Sequence, residues 1–177
     1  MFSWNPSVSD IEHTGAGRYT LTADPDGGLV IRGDGGRSFA FRRTELGWTL
    51  ERDDRSPTMQ LIRRAGGTMV LEAGGDGGRR LATWSPAQSG VPAVSGGTVL
   101  LADGDLFQVL DRPGQVAGYD LVGWQGGGAY FTTSPGEDGT VLMILPAGRS
   151  LLDQVRGETV LVMFAAVAAG LSEEYET

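Results

Sequence analysis

The chain has 177 residues, 40% hydrophobic and 20% charged, which suits a single domain with a sizeable core. Its net charge of −8 at pH 7 argues against a general nucleic-acid-binding protein, which would carry a basic surface. The sequence contains no cysteine, and all 14 basic residues are arginine, which excludes disulfides, thiolate metal sites and lysine-based catalysis.

The first segment, residues 1–17, is polar and aperiodic and is predicted to form an arm outside the domain. It lacks a basic stretch followed by an apolar one, so no signal peptide is expected, and the expected location is cytoplasmic. His13 is the only histidine in the chain and lies in this arm. Because a general base needs a rigid support, Ser-His-Asp catalysis is not expected.

From residue 18 onward, short apolar or alternating runs are separated by clusters of Gly, Pro, Asp and Ser, a pattern typical of strands joined by turns. Their spacing of about 8–12 residues indicates an all-β barrel or sandwich. The twelve runs are Arg18–Ala23, Leu29–Arg32, Arg37–Arg42, Trp48–Arg52, Thr58–Arg64, Thr68–Ala73, Arg79–Trp84, Thr98–Ala102, Leu106–Asp111, Ala117–Val122, Ala129–Ser134 and Thr140–Pro146. The long interval Ser85–Gly97 is either a crossover loop or contains a further strand.

The last apolar segment, residues 158–171, is unlike anything before it. The sequence Ser150–Asp153 matches a helix start signal, and Gly157 is expected to interrupt that helix before the apolar part. No residue from Thr159 to Leu171 is charged, and a helix that is apolar on all sides must be buried. The segment is shorter than the roughly 20 residues that span a bilayer, so an integral membrane protein is not expected. Residues 172–177 are predicted to form an acidic tail.

The strand count gives this helix a place in the fold. Eight strands closed into a barrel leave an interior that side chains just fill, so twelve leave a wider lumen. An α-helix about 10 Å across would fill that lumen. We therefore predict one mainly β domain over residues 18–171, an antiparallel closed barrel of about twelve strands around a buried hydrophobic C-terminal helix.

The order of Gly-punctuated strands followed by a hydrophobic helix resembles the tubby-like superfamily, and most closely its small LURP-one-related and phospholipid-scramblase-like members. The resemblance is carried by the strand series from Tyr19 to Leu145 and by the helix Val160–Ala169. It implies a twelve-stranded barrel around a central helix and a non-enzymatic role in binding anionic lipids. The lysines of tubby-type lipid sites and the Cys cluster of scramblases are missing, so lipid scrambling is not expected.

Three dibasic pairs stand at predicted strand ends, and arginine suits bidentate contacts with phosphate. They are Arg42, Arg43, Arg63, Arg64, Arg79 and Arg80. If these strand ends cluster, the pairs form a positive rim for an anionic lipid headgroup or a protein partner; otherwise they protect strand edges. The first hypothesis is thus a non-enzymatic binding protein. The alternatives are a lipocalin-like carrier with its helix outside the barrel and a carboxylate-dependent hydrolase.

Two further groups of residues were weighed as sites. Aspartates in turns carry oxygen ligands for Ca²⁺, but no glutamate closes an EF-hand loop, so they are interpreted as turn formers and no metal or cofactor is expected. These are Asp24, Asp26, Asp103, Asp105 and Asp111. Aromatic residues would line a sugar or lipid cleft, unless they pack in the core or pair across strands. These are Trp48, Trp84, Trp124, Tyr119 and Tyr130.

Overall fold

The computed structural model describes residues 17–33, 38–52, 57–73, 78–86, 96–112, 118–124, 126–137, 139–154 and 156–171. Within these ranges, twelve strands form a closed barrel in which each strand pairs antiparallel with its neighbours in the chain, and β1 pairs with β12. The strands are β1 (Arg18–Ala23), β2 (Leu29–Gly33), β3 (Ser38–Arg43), β4 (Gly47–Arg52), β5 (Pro57–Arg63), β6 (Met69–Ala73), β7 (Arg80–Ser85), β8 (Thr98–Leu101), β9 (Leu106–Arg112), β10 (Gly118–Gly123), β11 (Gly126–Gly136) and β12 (Gly139–Ile144). Two helices follow, α1 (Pro146–Leu152) and α2 (Gly157–Ala168).

Side chains alternate between the inside and the outside of the barrel along each strand. In β3, Phe39 and Phe41 are buried, whereas Arg42 is exposed. The register carries this pattern around the barrel, because Phe41 lies opposite Leu29 of β2 and Leu50 of β4, both buried. A slip of one residue would turn the apolar side chains outward, so the alternation in the sequence also specifies the pairing.

Helix α2 lies inside the barrel. Every residue of Val160–Val167 is at most 6% exposed, and because 3.6 residues complete a turn, the helix is buried on all sides. The Phe164 ring stacks on Phe131 of β11 with centroids 6.1 Å apart, and α2 also contacts β7, β8 and β10. The inner residues of the strands and the helix form one core. The predicted barrel around a buried C-terminal helix is confirmed, and the lipocalin-like arrangement with an outer helix is wrong.

Helix α1 was not predicted as the structure has it. The last strand ends at Ile144, because Pro146 starts a helix instead of closing the strand. Proline suits the first turn of a helix, where its missing N–H is not needed. The segment Ser150–Asp153 therefore lies at the end of α1, and the helix start predicted there is wrong. The chain resumes as α2 at Gly157, where the interruption was expected.

The antiparallel order gives the barrel two distinct ends. The even-numbered strands end where α1 lies, and we call this the α1 end. It includes the β6–β7 and β8–β9 turns. The odd-numbered strands end at the other, opposite end. Helix α1 contacts β11 and β12, and α2 enters the barrel from the α1 end.

Three segments that carry predictions lie outside the described residues. They are most of the arm, residues 1–16; residues 87–95, where the sequence allows a further strand; and the acidic tail, residues 172–177. No helix within the described ranges has both the length and the apolar character needed to cross a bilayer.

Candidate functional site

The structure does not bring the three arginine pairs together. The pair Arg42–Arg43 lies at the end of β3, and the pair Arg63–Arg64 lies at the end of β5. Because β3 and β5 run in the same direction, both pairs lie at the opposite end. The pair Arg79–Arg80 stands at the start of β7, at the α1 end. The condition for one positive rim is therefore not met.

At the opposite end, one arginine of each pair has its charge compensated by a carboxylate. The Arg42 Nε donates a hydrogen bond of 2.6 Å to Glu51 Oε1, and Arg64 Nη2 lies 3.6 Å from Glu72 Oε2. The hydrogen bond to Glu51 raises the pKa of Arg42, and the charges of Asp24 and Asp26 add to this effect. A guanidinium surrounded by carboxylates attracts an anionic ligand less strongly.

The other arginines of these two pairs, Arg43 and Arg63, make contacts within the barrel itself. The Arg43 guanidinium lies 5.4 Å from the ring centroid of the buried Trp48, a cation–π distance. The Trp48 indole N–H donates to the Gly27 carbonyl at 2.9 Å, which joins the β1–β2 turn to β4. The backbone N–H of Arg63 donates to Leu46 O at 3.1 Å and so holds the β3–β4 turn. As ligand-binding residues, these arginines stay a prediction.

The α1 end carries two clefts that share Arg156. The first, which we call the Arg79 cleft, encloses about 410 Å³. Its apolar floor consists of Leu81, Leu101 and Ala102. Its polar edge consists of Arg79, Asp103, Gln154, Arg156 and Thr159. Small-molecule sites in proteins have volumes of about 300–1,000 Å³, so this cleft has the size for such a ligand.

The second cleft, which we call the Trp124 cleft, encloses about 450 Å³ on the other side of Arg156. Its aromatic side consists of Phe107, Trp124 and Tyr130. Its charged residues are Asp105 and Arg156, and Gly104, Leu106 and Gly123 complete the lining. The two clefts therefore differ in chemistry, because one has an aliphatic floor and the other has an aromatic wall.

Arg156 forms the boundary between the clefts. Its Nη1 contacts the Asp105 carboxylate and lies 3.4 Å from Asp103 Oδ2, while its Nε donates to Gln154 Oε1 at 3.0 Å. Arg156 directly precedes α2, where the helix dipole disfavours a positive charge. The two carboxylates offset this effect and join the β8–β9 turn to the start of the central helix.

Asp24 and Asp103 take the predicted turn-forming role, whereas Asp111 lies within β9 opposite Tyr119, so its interpretation as a turn former is wrong. The backbone N–H of Asp105 donates to Asp103 Oδ1 at 2.9 Å, and that of Asp26 donates to Asp24 Oδ1 at 3.2 Å. Such bonds imitate a backbone turn. Among the described residues, no three His, Asp or Glu side chains are placed to hold a metal ion.

Arg79 has a different environment from the arginines above. Its side chain is exposed at the edge of the cleft, and it makes no ion pair or hydrogen bond with the other residues that the structure describes. Its neighbour Arg80 is also exposed but does not line the cleft. Arg79 is thus a predicted ligand-binding arginine that lines a cleft and has no ion-pair partner among the residues that the structure describes.

The predicted aromatic residues divide into two groups. Trp48 and Trp84 are 1% and 6% exposed, and Trp84 Nε1 donates to Gly96 O at 2.9 Å, so both belong to the core. Tyr119 packs against the core from β10. Trp124 is 55% exposed, and Tyr130 is half-buried beside it in the cleft. Core packing, the favoured interpretation, describes Trp48, Trp84 and Tyr119, whereas Trp124 and Tyr130 line a cleft.

Sequence reasoning missed Arg156, Gln154 and Thr159, which complete the Arg79 cleft. The signal for Arg156 was its place as the last positive charge before the apolar helix. No protein-family model, curated protein or solved structure matches this chain. The resemblance to the tubby-like superfamily therefore stays a prediction, and function is inferred from the site.

Proposed function

We propose that this protein is a non-enzymatic binding protein that holds an organic anion with an apolar body in the Arg79 cleft. One observation carries the proposal: the Arg79 guanidinium has no ion-pair partner among the described residues and stands beside an aliphatic floor. A ligand with a carboxylate or phosphate at one end and a hydrocarbon at the other is complementary to both features.

The charges in the cleft favour an anion at Arg79. Arg156 also lines the cleft, but its guanidinium is already held by Asp103 and Asp105. Arg79 supplies charge that nothing in the described structure offsets, and an arginine bound to a carboxylate or phosphate forms strong, charge-assisted hydrogen bonds. Gln154 and Thr159 add neutral polar groups at the same edge.

The floor favours a ligand with an apolar part. Leu101 is 4% exposed and Leu81 is half-buried, so the floor is continuous with the barrel core. Covering apolar surface contributes roughly 25 cal/mol per Å². A small inorganic anion would leave this floor in water, whereas an amphiphilic anion would cover it.

Octanoate and octanol have the same hydrocarbon chain, so together they test the charge requirement. We expect octanoate to bind more tightly than octanol in a calorimetric titration. The substitution Arg79→Gln should weaken octanoate binding about tenfold, since a hydrogen bond to a charged group contributes about 1.5 kcal/mol. Arg80→Gln is the matched control, because it removes the same charge from the neighbouring residue outside the cleft.

Two outcomes would contradict the proposal. Equal binding of octanol and octanoate would show that no cation takes part. Equal weakening by Arg79→Gln and Arg80→Gln would show a general charge effect instead of a site.

The same chemistry is present in a free amphiphile and in an anionic lipid, and flotation with vesicles separates these sources. Recovery with phosphatidylserine vesicles that Arg79→Gln abolishes would assign a lipid ligand. Equal recovery with phosphatidylserine and phosphatidylcholine vesicles, together with octanoate binding, would assign a free small molecule.

A further inference from the structure

We propose that the Trp124 cleft is a second binding site that takes a neutral saccharide ring. The site is separate from the Arg79 cleft and does not depend on the function proposed for it. A pyranose ring has an apolar face of C–H groups and an edge of hydroxyl groups. The cleft presents an aromatic wall on one side and a paired donor and acceptor on the other.

The Trp124 ring is exposed although its backbone is fixed. The backbone N–H of Trp124 donates to Leu106 O at 3.0 Å, and the backbone carbonyl of Trp124 accepts a hydrogen bond of 3.1 Å from Gln108 Nε2. The same Gln108 amide donates to the Gly123 carbonyl at 3.3 Å, so Gln108 holds two successive carbonyls of the backbone at this turn. A large indole presented on a fixed turn is preorganised for stacking, and little conformational freedom is lost on binding.

The wall behind this ring is also aromatic. The Tyr130 and Phe107 rings meet edge to face with centroids 5.5 Å apart, and Phe107 is 3% exposed, so the wall is anchored in the core. Aromatic side chains offer large apolar faces with defined geometry. A flat ring with an apolar face would cover Trp124 and extend toward Tyr130.

The charges of this cleft favour a neutral ligand. Asp105 and Arg156 contact each other, so their opposite charges are compensated within the cleft. A charged ligand would have to compete with that ion pair, whereas a hydroxyl group both donates and accepts. Sugar hydroxyls would donate to the carboxylate and accept from the guanidinium with the pair in place.

The test follows the indole N–H signal of Trp124 by nuclear magnetic resonance. The full chain is labelled with ¹⁵N, and the signal is assigned by its loss in Trp124→Ala. A panel of neutral trisaccharides, namely maltotriose, cellotriose, mannotriose and triacetylchitotriose, is added up to millimolar concentrations. We expect at least one trisaccharide to shift this signal while the indole signals of the buried Trp48 and Trp84 stay in place.

Variants then measure the contribution of the ring to the affinity for that trisaccharide. Trp124→Ala should weaken binding about tenfold, and Trp124→Phe, which keeps an aromatic face, should restore most of it. Leu46→Ala removes an exposed apolar residue at the opposite end and should change nothing. Since Trp124 is outside the core, an unchanged melting temperature will show that its variants are folded.

The proposal is overturned if no trisaccharide shifts the Trp124 signal. It is also overturned if Trp124→Ala binds the trisaccharide as tightly as the natural chain. A shift that an anionic sugar such as galacturonate produces and that no neutral trisaccharide produces would contradict the neutral character of the ligand.

Discussion

Arg156 shows how one residue serves the architecture and the site together. It lies beside two carboxylates of a turn about fifty positions earlier in the sequence. Its side chain is 32% exposed and those of Asp103 and Asp105 are 53% and 52% exposed, so water screens these ion pairs. Exposed ion pairs contribute about 0–1 kcal/mol to stability. Arg156 therefore matters more for the shape of the two clefts than for the stability of the barrel.

Gly157 is the residue on which the path from α1 into the barrel depends. A Cβ at this position would lie 2.2 Å from Leu151 O and 2.6 Å from Leu152 Cα, so backbone atoms would have to move. We predict that Gly157→Ala lowers the free energy of unfolding by about 2 kcal/mol, as overpacking does. Alanine favours helices by about 1 kcal/mol over glycine, so a net loss would show that the contact prevails.

Urea unfolding measures this effect, and Gly128→Ala is the control. A Cβ at Gly128 would meet nothing within 4 Å. We expect Gly128→Ala to leave the midpoint unchanged. If both variants unfold at the midpoint of the natural chain, the helices are not packed as closely as the structure has them.

At the scale of elements, α2 takes the place that a cavity occupies in wider barrels. Its small residues, Ala165 and Ala166, are fully buried, and they let the strands approach the helix. The Phe164 ring, also fully buried, stacks on Phe131 and so joins the helix to the wall. The interior is thus filled, and the two clefts lie at the end of the barrel.

We predict that Phe164→Ala lowers the free energy of unfolding by about 3–5 kcal/mol, the loss typical of a buried aromatic side chain. Leu100→Ala serves as the control, because this leucine is 43% exposed on the outer face of β8. Its loss should change stability by less than about 0.5 kcal/mol. Similar effects of both substitutions in urea unfolding would contradict a core that contains the helix.

The elements could be predicted where they carry a local pattern. The alternation of residues such as Phe39 and Phe41 predicts a strand and its inner face, and the apolar run from Thr159 predicts a buried helix. Helix α1 was missed because Pro146 stops a strand and starts a helix equally well. Local patterns do not separate these two roles; the neighbouring tertiary structure does.

At the scale of the whole molecule, the candidate site depends on contacts that no local pattern contains. Arg79 was singled out from its sequence, but the other residues of the cleft come from β7, from β8 and the turn after it, and from the segment that leads into α2 and the start of that helix. All three arginine pairs belong to odd-numbered strands, which run away from the α1 end, so the position of each pair follows from whether it starts or ends its strand. Sequence reasoning therefore singled out Arg79 and, in another role, Asp103, and closure of the barrel supplied the other residues of the cleft.

The architecture also directs the search for function. A barrel filled by its own helix leaves no room for a ligand inside, unlike a carrier with an open lumen. Both clefts described above lie at the α1 end of the barrel and are lined in part by Arg156, which directly precedes α2. The central claim is therefore that α2 occupies the lumen, because the proposed binding sites at the barrel end follow from it.

Cysteine labelling tests this claim most directly, since the natural chain contains no cysteine. Single substitutions Val160→Cys, Ala165→Cys and Ala166→Cys place a thiol on three faces of α2, because successive residues are about 100° apart. We expect each thiol to react with a maleimide only as fast as the whole barrel unfolds, while Leu100→Cys on the outer face reacts at once. Rapid labelling of any one face of α2 in the folded protein would contradict a helix enclosed by the barrel.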